Sequence, residues 1–115
     1  MNNKPHLDEE ALAELQDVMD DEFEVLIQTY LGDSRERIAG LRKAIELEDA
    51  DAFAKMAHSF KGSCINIGAP HLGELCMMAE VAGKENRLED ASAMVDNIET
   101  EFRTVTRMLE GLVVR

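Results

Sequence analysis

Between Ala91 and Leu112 the apolar residues Ala91, Val95, Ile98, Phe102, Val105, Leu109 and Leu112 recur at alternating steps of four and three. That spacing gathers them on one stripe of an α-helix but scatters them over both faces of a strand. A helix over about residues 88–113 with a single apolar seam is predicted, which is how a helix in a bundle is built.

The rest of the chain repeats the pattern. Asp8 is placed to cap a short helix carrying Leu12, Leu15 and Val18 or Met19, with residues 1–7 expected to fray. A long helix starts near Asp20 or Asp21 and runs to about Glu48, with Phe23, Ile27, Tyr30, Leu31, Ser34, Ile38, Leu41 and Ile45 as its stripe; Gly40 falls off that stripe without an evident reason. Asp49 caps a third helix that ends near Gly68, and Pro70 suits the first turn of a fourth, about 70–83, which buries Leu72, Leu75, Cys76, Ala79 and Ala82 and ends at Gly83. Gly73, Met77 and Val81 lie elsewhere on that wheel, as a second packing face or as an apolar docking strip. No stretch alternates as a strand does. The expected fold is all-α: one domain over residues 1–115, an antiparallel four-helix bundle with a short extra N-terminal helix. At 115 residues, 4 % aromatic and without Trp, the composition agrees with it.

Charge narrows the function. With 24 Asp and Glu against 12 Lys and Arg, the net charge of −12 argues against nucleic acid and against an anionic membrane surface, both of which call for a basic face. The first residues lack the apolar core of a signal peptide, and no run approaches the ~18 apolar residues of a membrane span, so a cytoplasmic protein is expected. Cys64 and Cys76 lack CxxC spacing and read as small buried hydrophobes.

One residue stands against this pattern. On the third helix Phe53, Met56, Ala57, Phe60, Cys64 and Ile67 share a stripe, while His58, Lys61, Gly62 and Ile65 collect on the opposite side. A solvated neutral imidazole is a nucleophile at cellular pH and can accept a phosphoryl group. Lys61, one turn on, can hydrogen-bond a phosphoryl oxygen directly. Gly62 costs the helix ~1 kcal/mol relative to Ala and leaves the imidazole accessible to a partner's loop. Lys55 and Lys61 make a small positive island in an acidic protein, bordered by Ser59. Other chemistries lack parts: there is no GxxxxGK[ST] or GxGxxG phosphate loop, and with three His the chain has no ExxH pairs for a di-metal site. No metal and no cofactor of its own are expected; the phosphoryl group must come from another protein.

The run Ala57, His58, Phe60, Lys61, Gly62, Ser63, Cys64, Ile67 and Gly68 resembles the signature of histidine-containing phosphotransfer domains, usually written AHxLKGSSxxxG, with Phe60 for Leu and Cys64 for the second Ser. The resemblance extends through Leu72, Leu75, Cys76 and Glu80, and back through Leu41, Ala44 and Asp49. It implies a phosphoryl carrier rather than an enzyme: His58 as phosphoacceptor, Lys61 and Gly62 serving reaction and docking, receiver domains of hybrid sensor kinases and response regulators as partners, and Mg²⁺ held by the receiver. Gly62, Ile65, Ser59, Lys55 and Met77 are the expected partner-facing set, on a monomer. The alternative is a helical adaptor that binds a partner through the same face without taking phosphate, and a more distant one is a bundle dimerising through Met77 and Val81.

Overall fold

The computed structural model describes residues 4–113. Among them it has five helices and no strand: α1 (Glu9–Met19), α2 (Glu22–Glu46), α3 (Ala50–Ile67), α4 (Pro70–Lys84) and α5 (Ala91–Val113). Helices α2 to α5 close a four-membered ring in which α3 and α4 pack most intimately, and α1 lies on α2. This is the expected bundle with its extra N-terminal helix.

Local chemistry sets the helix ends. Asp8 Oδ1 accepts from the Ala11 amide at 3.1 Å, and Asp49 Oδ1 from the Ala52 amide at 3.0 Å, each satisfying an orphan donor of a first turn. Gly68 takes φ +90, a left-handed conformation open to glycine, and the Ala69 amide returns to the Cys64 carbonyl at 2.8 Å. Pro70 then opens α4. The two-residue corner forces α3 and α4 antiparallel.

The interior is formed by Tyr30, Phe53, Phe60 and Phe102 among aliphatic side chains from all five helices. Cys64 and Cys76 are buried free thiols, as their stripes required, and Tyr30 Oη lies 3.3 Å from Cys64 Sγ. Burial pushes the Tyr30 hydroxyl upward, and the neighbouring Cys64 together with burial pushes the Cys76 thiol upward, so these groups stay neutral.

Some sequence expectations change. Gly83 does not end α4, which continues to Lys84; a Cβ there would come within 2.9 Å of both Cβ and N of Ala54, so this glycine exists for close approach of α3. Gly40 is less constrained: an added Cβ would meet only the Met56 methyl, at 2.6 Å, and that flexible side chain can swing away. On α2 Ala44 is buried and Ile45 packs half-buried beside it; of Val18 and Met19 it is Met19 that packs on the core, while Leu112 is exposed at the end of the α5 stripe. The expected α5 start near 88 moves to Ala91. Finally, fraying was expected over residues 1–7, yet Leu7 is buried, the Asp8 amide donates to the Gly68 carbonyl at 2.7 Å, and the His71 amide to the Pro5 carbonyl at 3.3 Å. His6 Nδ1 adds a 2.6 Å contact to the buried Glu101 carboxylate. A strap from Pro5 to Asp8 thus lies across the α3–α4 corner; residues 1–3 are outside the described part.

Candidate functional site

Small residues bring α3 and α4 together. Ala57, Ala79 and Ala82 are fully buried, and Gly73 sits so close beneath Ile65 that an added Cβ would be 3.3 Å from it. At this short separation a long side chain on one helix reaches the outer face of the other. Glu80, on α4, does so: its side chain is 5 % exposed, and its Oε2 lies 2.9 Å from His58 Nδ1.

Two cations converge on the same carboxylate. Lys61 Nζ is 2.9 Å from Oε1 and Lys84 Nζ 3.1 Å from Oε2. Oε1 accepts no aligned hydrogen bond, so the Lys61 contact is that of an ion pair. A buried carboxylate is costly unless paired, and here the pairing prevails: the Lys61 ammonium above all, then Lys84 and His58, hold the Glu80 carboxyl down to about 2 against the desolvation that opposes them.

This fixes the chemistry of the imidazole. An ionised carboxylate only accepts hydrogen bonds, so in the neutral ring Nδ1 must be the protonated nitrogen. The lone pair is then on Nε2. The His58 side chain is 67 % exposed, so that nitrogen can be approached from solvent.

His58 forms part of a groove of about 630 Å³ whose walls come from three helices: Leu15 and Met19 of α1, Leu26 of α2, and Ser59, Gly62 and Asn66 of α3. Gly62 is open, with nothing within 4 Å of an added Cβ. Ser59 Oγ accepts from Arg37 Nε at 3.1 Å, placing an arginine at the rim.

The residues expected to face a partner therefore divide. Gly62 and Ser59 share the groove with His58. Ile65 and Met77, both exposed, line a second, smaller groove with Lys61, Gly73, Pro70 and Lys4 on the other side of the α3 ridge. Lys55 takes no part in the Glu80 cluster; it pairs with Asp51 one turn back at 3.0 Å. Lys61, expected to stand free for a phosphoryl oxygen, is only 24 % exposed and engaged by Glu80. Lys84 and Arg37 were not foreseen. Lys84 had a signal, being four residues after Glu80 on α4; Arg37, on another helix, had none.

A family model described as Hpt domain matches residues 25–113. Among solved structures, the crystal structure of histidine-containing phosphotransfer protein B (HptB) from Pseudomonas aeruginosa superposes with a TM-score of 0.90 at 39% sequence identity, covering 95% of this chain and 95% of that one. No curated protein sequence matches. With a family match across α2 to α5 and an exposed histidine on α3, the chain belongs to the histidine-containing phosphotransfer (Hpt) domain family.

Proposed function

We propose that this chain carries a phosphoryl group in a two-component phosphorelay on His58 Nε2, taking it from the aspartyl phosphate of one receiver domain and passing it to the aspartate of another. The observation that carries the reading is the hydrogen bond from His58 Nδ1 to the Glu80 carboxylate, which leaves Nε2 as the exposed nucleophile.

In the forward step the Nε2 lone pair attacks the phosphorus of the acyl phosphate. The N–P bond forms as the P–O bond to the aspartyl carboxylate breaks, and that carboxylate leaves as the anion. No proton need move: Nδ1 keeps its own, and the positive charge that develops on the ring is offset by the Glu80 carboxylate 2.9 Å away. Transfer onward is the same step reversed on the second receiver, whose acidic pocket holds the Mg²⁺ ion. Among the described residues no helix is long and apolar enough to cross a membrane.

Incubation with a phosphorylated receiver domain tests the reading. The wild-type chain should gain an acid-labile, base-stable phosphate, and His58→Gln should fold and gain none. Label on the variant, or none on the wild type with any of a panel of receivers, rejects His58 as the carrier. A helical adaptor would bind receivers and take no phosphate at all.

A further inference from the structure

Carboxylates outnumber cations 24 to 12 in this chain, yet of the six arginines among the described residues only Arg42 and Arg87 pair with one. Arg42 clamps Asp96 and Glu99, Arg87 pairs with Glu85, and Arg37 bonds Ser59. Among the described residues Arg35, Arg103 and Arg107 form no side-chain hydrogen bond or ion pair. All three meet at one pocket of about 440 Å³, completed by Phe102 and Thr106. Arg103 and Arg107 stand four residues apart on α5, a spacing at which like charges repel one another. Arg35 brings a third positive charge from α2.

Thr106 gives a second, independent observation. Two other threonines of α5 satisfy their hydroxyls on the carbonyl four residues back, Thr100 on Asp96 at 3.0 Å and Thr104 on Thr100 at 3.5 Å. Thr106 Oγ1 is buried and has no partner. A buried polar group without a partner calls for an explanation, such as an ordered water or a nearby ligand.

The pocket is separate from His58. Arg35 and Arg37 are two residues apart on α2, about 200° around its axis, and Arg37 lines the His58 groove while Arg35 lines this one.

We infer that the α2–α5 pocket binds a small anion carrying at least two phosphoryl groups. Guanidinium forks pair with phosphoryl oxygens bidentately. Two of them one helical turn apart, about 6 Å along the axis, bracket two linked phosphoryl groups better than one. Arg35 closes the third side. The chemistry suits a free diphosphate-bearing metabolite or a polyphosphorylated lipid headgroup. The inference does not depend on phosphotransfer at His58.

NMR titration of the full chain tests it, with inorganic pyrophosphate, orthophosphate, and vesicles of phosphatidylcholine with and without phosphatidylinositol bisphosphate as probes. Pyrophosphate should shift the Arg35, Arg103 and Arg107 Nε–H signals and the Thr106 amide, and bind more tightly than orthophosphate. The R103Q/R107Q variant, altered only at exposed positions, should keep its dispersed spectrum and bind about tenfold or more weakly. Vesicle binding that the same variant loses identifies the headgroup as the source; pyrophosphate binding without vesicle binding identifies the free anion. Shifts confined to Lys61, Lys84 and His58, or equal affinity in wild type and variant, or no response to any probe at millimolar concentration, overturns the inference.

Discussion

The Glu80 carboxylate and the His58 imidazole meet at 2.9 Å across the α3–α4 interface, one buried and one open to solvent. The buried partner decides which nitrogen of the open one is free. Glu80→Gln tests this directly, since the amide can accept from Nδ1 or donate to it and so no longer dictates the tautomer. Nitrogen shifts of the His58 ring should report Nδ1 protonation alone in wild type and a mixture of tautomers in the variant, with transfer slowed about tenfold or more. A slowed variant whose tautomer is unchanged would assign Glu80 a packing role only.

The same carboxylate makes stability depend on acid. Its ordinary value of 4.5 falls to about 2 in the folded chain, so its ionised form stabilises the fold above the unfolded value and that stabilisation is lost as pH drops through 4.5 toward 2. With His58 and Lys84 well exposed, the contribution is on the order of 2 kcal/mol. Chemical denaturation of wild type and Glu80→Gln at a series of pH values should give a difference that is constant above about pH 5 and shrinks below it. A difference independent of pH down to acid would contradict the pairing.

Lys61 is the least exposed of the three partners of Glu80. Removing it leaves a buried carboxylate with only exposed partners, so Lys61→Ala should destabilise by ~1–3 kcal/mol and slow transfer to His58 without abolishing labelling. Transfer and stability both equal to wild type would return Lys61 to the solvated surface.

His58 was legible because exposure follows from helical period: an imidazole opposite Phe53, Ala57, Phe60 and Cys64 has nowhere to be but outside. Gly68 and Pro70 were legible because each marks a corner by its backbone. Glu80 was harder to read. It lies four residues after Cys76 on the buried stripe of α4, and a carboxylate on a core stripe reads as an interruption until Lys61 on another helix is known to face it. Glu101 is the same case on α5, between Ile98 and Phe102 with His6 as its distant partner. Gly83 was misread because a glycine near a helix end serves termination and close packing equally well in sequence, and only the position of Ala54 separates them.

The strap offers a stability test of that kind of long-range contact. Leu7 is buried against the core although it precedes every helix. Leu7→Ala should cost ~2–3 kcal/mol, the lower range for a buried leucine because a strap can collapse toward the gap. Urea denaturation measures it; a change under ~0.5 kcal/mol would mean that the strap is not held in solution.

Gly62 separates stability from docking. An added Cβ there meets nothing within 4 Å, and the residue lines the His58 groove with Leu15, Met19 and Leu26. Gly62→Ala should therefore fit and stabilise by up to ~1 kcal/mol, because alanine favours the helix that glycine weakens. Gly62→Glu keeps most of that backbone gain but sets a long anionic side chain next to Nε2, where an acidic receiver pocket must approach. Transfer should fall by at least about a hundredfold, equivalent to ~3 kcal/mol of lost encounter and positioning, while denaturation shows a chain as stable as wild type. A glycine retained only for packing would give the opposite result, with the larger side chain unfolding the protein. If Gly62→Glu transfers phosphate as fast as wild type, the receiver approaches His58 from the Ile65 and Met77 side of the ridge, and the groove shared by α1, α2 and α3 is not the docking surface.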